Sequence, residues 1–216
     1  MLFKLDGKLF RRYTRNADVR RVSECQFADD AALLAKTRTG AEQALQDCSA
    51  NNTTFGLRLS TSKTKFMAAG REVKDEDRTP IEIENSEIEC VKEFPYLGSI
   101  IAANGRMDAD VEKRLSQASK AFGALRKPVF SDKNLSLRTK REVYQACVIS
   151  VLLYGSECWI PLRKHLNKLD SFHHWCIRII LGITSKTQWQ QRITNTEVRC
   201  RWGDPRTIST RVMVRS

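Results

Sequence analysis

The spacing of apolar residues changes once along the chain, near residue 105. Before that point apolar positions recur mostly at every second residue, and beyond it at intervals of three and four, so a β-rich half precedes a helical half. Leu2 to Phe10 reads as a hairpin turning at Asp6-Gly7. Arg20 to Phe27 forms a strand running into Asp29-Asp30, and Ala31 to Ala35 forms the strand leaving it. A helix follows through about Asn52, with Ala41, Ala44, Leu45 and Cys48 on one face and Gly56 beyond its end. Leu57-Arg58-Leu59 and Lys65-Phe66-Met67 are short strands around a polar turn, and residues 70–79 a solvated loop. Ile81-Glu82-Ile83-Glu84 alternates strictly, turns at Asn85-Ser86 and resumes with Ile88 and Cys90, which predicts a hairpin with one wet, acidic face. Phe94 to Ile101 is a buried strand or hairpin ending at Asn104-Gly105.

In the second half Asp108 caps a helix carrying Val111, Leu115, Ala118, Phe122 and Leu125 on one stripe, and Pro128 stops it. A second helix runs from about Leu137 to Tyr154 and breaks at Gly155. A third covers about Leu162 to Leu181, ending at Gly182. Ile183 to Ser216 reads as basic and irregular, with Thr194 to Glu197 starting one short helix. The fold class is therefore α+β, divided into residues 1–105, a helical segment 106–182 and a basic C-terminal segment 183–216.

A chain of 216 residues is long enough for a sizeable core, and 41% hydrophobic with 29% charged residues describes a globular protein. The longest apolar stretch, Ala146 to Tyr154, is too short to cross a membrane. Charge says more. Lys and Arg number 37 against 25 Asp and Glu, a net +12, which points to a polyanion such as nucleic acid. The excess sits in residues 1–40 (nine basic, five acidic), 106–145 (ten and five) and 163–216 (eleven and three), whereas 71–93 inverts it with four and nine. Seven scattered cysteines without a Cys-x-x-Cys pair indicate a reduced, intracellular chain, with nucleus or cytoplasm unresolved. The first 23 residues are Arg-rich like a transit peptide, but Asp6 and Asp18 argue against one.

The densest chemistry is Asp29-Asp30, two carboxylates between apolar runs. Such a pair at a hairpin tip suits a hard divalent cation, which takes oxygen ligands and leaves room for phosphate oxygens. On the dipeptide alone a plain exposed turn is the simpler account, since Asp is a common turn residue. His173, His174 and Cys176, with Cys158 or Cys200, are the weaker alternative of a zinc site; His173 and Cys176 lie one turn apart on the apolar stripe, where core packing explains them. Trp175, Trp189 and Trp202 among Arg and Lys fit a nucleic-acid surface.

Phe27-Ala28-Asp29-Asp30, then Gly56-Leu57 and Lys63-Thr64-Lys65, then Phe94-Pro95-Tyr96-Leu97-Gly98, resemble consecutive motifs of the reverse transcriptase of LINE-type, non-LTR retrotransposons. Ser150 to Trp159 and Leu181-Gly182-Ile183 are similar to the thumb and post-thumb of those polymerases. The resemblance implies a partial polymerase palm followed by a helical thumb, acting in the intact parent as an RNA-directed DNA polymerase on an RNA template, a DNA primer and dNTPs, with no membrane partner. It implies that Asp29 and Asp30 bind two Mg²⁺ ions, that Lys63 lies near the nucleotide phosphates, and that Phe94, Tyr96, Leu97 and Gly98 form a primer grip. Ser60 stands where the family has an Asn. The family's earlier metal-binding Asp has no match: Asp6, Asp18 and Glu24 are the only earlier carboxylates, none in the expected context. The expectation is a fragment without activity of its own; the alternatives are a non-enzymatic nucleic-acid-binding derivative or a functionless pseudogene product.

Overall fold

The computed structural model describes residues 2–3, 24–70, 73–83 and 86–215. The body of the Leu2–Phe10 hairpin, Asp6 and Asp18 lie outside them. Two compact units, Met1–Arg106 and Met107–Ser216, make up the chain.

The first unit is built on a four-stranded sheet. Strands β1 (Leu2–Phe3), β2 (Glu24–Phe27), β3 (Asp30–Leu34) and β4 (Phe66–Met67) lie in the order β2-β3-β1-β4. β2 pairs antiparallel with β3, while β1 runs parallel to both β3 and β4. Helix α1 (Arg38–Thr54) follows β3, started by the Thr37 side chain, which accepts from the Gly40 N–H at 3.1 Å. Among the described residues two further hairpins belong to the unit: β5 (Ile81–Ile83) with β6 (Ser86–Ile88), and β7 (Glu93–Tyr96) with β8 (Ser99–Ala102). Leu57-Arg58-Leu59, expected as a strand, has no regular structure.

Because side chains alternate across a strand, β3 sends Leu33 to one face of the sheet and Ala32 and Leu34 to the other. Leu33 joins Phe66, Ala41 and Leu45 of α1, and Ile81, Ile83 and Ile88 of the acidic hairpin in one cluster. Ala32 and Met67 form the opposite cluster, against which Phe94, Tyr96 and Ile101 pack. Of the loop expected to be solvated at 70–79, the described residues 73–79 are mostly exposed, and they are tied to α1 as well. Residues Asp75–Arg78 form a 3-10 turn, and the Arg38 guanidinium donates to the carbonyls of Thr79 (2.6 Å) and Pro80 while its Nε bonds Glu42.

The second unit is helical: α2 (Asp108–Leu125), α3 (Leu137–Tyr144), α4 (Ser150–Leu152), α5 (Arg163–Ile180), α6 (Ser185–Gln190), α7 (Asn195–Trp202) and α8 (Ile208–Arg215). Pro128 does not stop the chain after α2. A π-helical turn, Arg126–Phe130, carries it past the proline, closed by Ser131 N–H donating to the Arg126 carbonyl at 2.8 Å. This brings Phe130 into a stack on Phe122, ring centroids 4.9 Å apart. A second π turn, Gln145–Ile149, joins α3 to α4. Asp108 is not the cap of α2; that position is Met107, and the Asp108 carboxylate is bound by Lys164 and by His165 Nε2 (3.0 Å), whose hydrogen bonds hold it at about 2. Exposed ion pairs of this kind contribute little to stability, because solvent screens them. The apolar interior outweighs them. Val111, Phe122, Leu152, Leu169 and Ile177 are fully covered, and each buried side chain of this size is worth roughly 1.5–3 kcal/mol.

The largest departure from the sequence reading lies in 183–216, which forms three helices rather than an irregular tail. Ile193, Val198, Trp202, Ile208 and Val212 all enter the core of the unit. Trp202 is completely buried, edge-on to Tyr144 at 5.5 Å and under the Arg141 guanidinium, so it is a core residue and presents no face to a nucleic acid. Asp110, buried, accepts from Trp159 Nε1–H at 2.9 Å and sits beside Arg114, which lies over the Tyr154 ring. Among the described residues no helix is long and apolar enough to cross a membrane.

Two outcomes follow for stability. Trp202→Ala leaves a large cavity and should cost about 3–5 kcal/mol in urea unfolding. The second concerns His173, whose Nδ1 lies 2.9 Å from the Tyr144 hydroxyl. Burial, then the neighbouring Arg211 and His174, push it down to about 4 from 6.5. The unfolded chain therefore takes up this proton first as pH falls, and stability is lost between about 6.5 and 4, on the order of 2 kcal/mol by pH 4.5. Urea midpoints measured from pH 7 to 4.5 check it: they should fall in the parent and fall less in His173→Gln.

Candidate active site

The apolar runs on either side of Asp29-Asp30 pair as β2 and β3, with Phe27 opposite Asp30, so Ala28 and Asp29 form a two-residue turn. Ala28 has φ of 52°, the left-handed region that a residue with a Cβ enters at a cost of roughly 1–2 kcal/mol. Both carboxylates lie exposed at this tip. Since Asp30 opens β3, alternation puts it on the face of Ala32, and the register adds Cys25, opposite Ala32, and Phe27.

That face is the one covered by the β7–β8 hairpin. Phe94 and Tyr96 point to the same side of β7, separated by the exposed Pro95, and the Leu97-Gly98 turn has positive φ at both residues, 47° and 85°. Burial raises the Tyr96 phenol, and Cys25 and the Asp30 carboxylate raise it further. The Asp30 carboxylate is thus within electrostatic reach of the phenol. Of the expected site residues, Asp30 and Tyr96 are brought together on one sheet face; Leu97 and Gly98 form the exposed tip of the second hairpin.

Lys63 is exposed in a turn whose hub is the Ser60 carbonyl, which accepts from the N–H groups of Lys63 (3.2 Å) and Thr64 (2.9 Å) and from the Thr64 hydroxyl (2.8 Å). The loop is thus closed by backbone, and the Ser60 side chain contributes only a 3.4 Å contact with Ser62. Because β3, β1 and β4 run parallel, this turn enters β4 at the same edge of the sheet as the Asp29-Asp30 tip, two strands away. Lys65 is engaged by Glu89 at 2.8 Å.

No known family model matches the chain, and no solved structure matches it. Two curated proteins do. It is 25% identical over 182 residues to a putative uncharacterized transposon-derived protein of Caenorhabditis elegans, covering 83% of this chain and 64% of that one. It is 23% identical over 171 residues to a probable RNA-directed DNA polymerase from transposon BS of Drosophila melanogaster, covering 76% of this chain and 19% of that one. The chain is similar to transposon proteins. It spans less than two thirds of each relative's length.

Hard oxygen donors at an exposed tip fit a divalent cation, and Asp29 and Asp30 are the residues that would hold it. Among the described residues no cluster of three or more His, Cys, Asp or Glu forms a metal-binding group. The zinc alternative is divided by burial. His173 and Cys176 are inside the helical core, where burial pushes the Cys176 thiol up to about 12, while Cys158 and Cys200 are exposed. Cys25 and Phe27 are neighbours of Asp30 to which the motifs assign no role. A two-residue turn combined with strand alternation was the signal for both.

The strain at Ala28 is measurable. Ala28→Gly removes the left-handed penalty and adds roughly 0.5–1 kcal/mol of chain entropy to the unfolded state, so a net gain of about 0.5 kcal/mol is expected. A urea midpoint that moves up confirms the turn; one that moves down contradicts it.

Proposed function

We propose that the chain is the C-terminal palm and thumb portion of an RNA-directed DNA polymerase, with Asp29 and Asp30 as its share of a divalent-metal site. The observation that carries this reading is the common sheet face of Asp30 and Tyr96, two motif residues far apart in sequence. In such a polymerase bound Mg²⁺ activates the primer 3′ hydroxyl and neutralises charge on the leaving pyrophosphate. The chain's own residues do the rest. Asp29 and Asp30 present carboxylate oxygens at a tip fixed by the β2–β3 register. Phe94 and Tyr96 anchor the second hairpin on the sheet, so the Leu97-Gly98 turn is held where a primer end can be steadied against the carboxylates. Lys63, on the same sheet edge, supplies a cation toward nucleotide phosphates. An RNA template, a DNA primer and dNTPs are the partners of this reading, and a net charge of +12 suits them.

As an isolated chain we expect no sustained synthesis, because two carboxylates from one hairpin leave two metal ions under-coordinated. Primer extension with a primed RNA template, dNTPs and Mg²⁺ checks this. No elongated product is expected, together with duplex binding that weakens steeply as salt rises from about 50 to 200 mM. Template-dependent elongation that Asp29→Asn abolishes would overturn the inactivity while keeping the site; duplex binding that ignores salt would overturn the nucleic-acid reading itself.

A further inference from the structure

Of the four tryptophans, Trp159 and Trp202 are buried and Trp175 packs against Phe122 and Phe172, whereas Trp189 leaves 86% of its surface exposed. Its indole offers solvent an aromatic face and a polar N–H edge. The chain around it is built to hold it. Trp189 lies on α6, and the turn after α6 closes through Gln191 N–H to the Thr187 carbonyl (3.0 Å), Arg192 N–H to the Trp189 carbonyl (3.3 Å) and Ile193 N–H to the Gln188 carbonyl (3.0 Å). This closure sets Arg192 at φ 50° and seats Ile193 in the core. A left-handed conformation is unfavourable for arginine, and here Arg192 lines an open surface groove of about 740 Å³ that Trp189 also lines. Gln190 and Ser185, both polar, also line it. Lys186 stands one turn before Trp189 on the same helix face, and no Asp or Glu occurs between Asp170 and Glu197.

Each of these groups answers one part of a single ligand. The indole face stacks on a base, the amide reads a base edge, and Arg192 with Lys186 meets the flanking phosphates. A paired duplex hides the base faces that the indole needs. We infer that Trp189 and Arg192 form a base-stacking site for single-stranded nucleic acid. The inference rests on the nucleic-acid reading above but not on the carboxylate hairpin, which belongs to the other unit.

A fluorescein-labelled oligouridine and the matching oligothymidine, titrated with the full chain and followed by anisotropy, test it. Trp189→Ala should weaken single-strand binding by about 5- to 150-fold, the loss of one stacked base, while Trp189→Phe keeps most of the affinity. An exposed position leaves the thermal midpoint unchanged in both, which excludes misfolding as the cause. Unlabelled oligonucleotide should also quench the parent's indole emission, and that quenching should vanish in Trp189→Phe. Asp29→Asn should bind the single strand like the parent, so a failed metal hairpin leaves this result standing. Single-strand affinity that does not respond to Trp189→Ala, or parent emission that stays unquenched at saturation, would overturn the site and assign the exposed indole to a protein partner instead.

Discussion

The register of strand β3 is the constraint on which the first unit depends. Its five residues have separate destinations: Leu33 enters the cluster with α1 and the acidic hairpin, Ala32 and Leu34 enter the cluster beneath β7–β8, and Asp30 is left at the sheet edge. A slip of one residue would send Leu33 to the wrong face and turn Asp30 away from Tyr96. Both faces are filled, so the register is over-determined. That surplus is what lets the turn at Ala28 keep an unfavourable φ, because straightening it would unpair strands whose burial is worth more.

The helical unit solves a different problem. It must pack a basic sequence, and it does so by putting aromatic and aliphatic groups inside while most charges remain outside or pair with an opposite charge. Tyr144 is the centre of that interior, in contact with Phe122, Phe130, His173 and Trp202. Its neighbour Arg211 is neutralised by Asp204 at 2.6 Å and also donates to Gln145. Burial raises the Asp204 carboxyl, but hydrogen bonds from Arg206 and Arg211 outweigh it and hold the group at about 2. Since these last contacts come from α8 and the segment before it, the C-terminal helices are part of the core rather than an appendage to it.

Much of this was legible in the residues. The two apolar runs around Asp29-Asp30 specify a hairpin, the alternation from Ile81 to Ile88 specifies another, and the stripes of α2 and α5 are read from their spacing. What escaped depends on contacts between distant segments. Ile193, Val198, Trp202, Ile208 and Val212 are separated by five, four, six and four residues across helix breaks, so no single period announces them. Pro128 marks a helix end by local rules, yet packing of Phe130 against Phe122 carries the chain through it. The Arg38 clamp on the acidic loop, and the sheet face that Tyr96 shares with Asp30, likewise link residues that no local pattern connects.

The account turns on whether the Asp29-Asp30 tip, backed by the β7–β8 hairpin, is where the chain receives a divalent cation. Backbone amide NMR of the full chain during titration with Mn²⁺ addresses that directly, because a paramagnetic ion broadens the signals nearest to it. The account predicts that Ala28 to Ala31 broaden first, followed by Tyr96 and Leu97, and that excess Mg²⁺ restores them. Broadening centred on the acidic stretch from Asp75 to Glu82, with the hairpin tip unaffected, would contradict it.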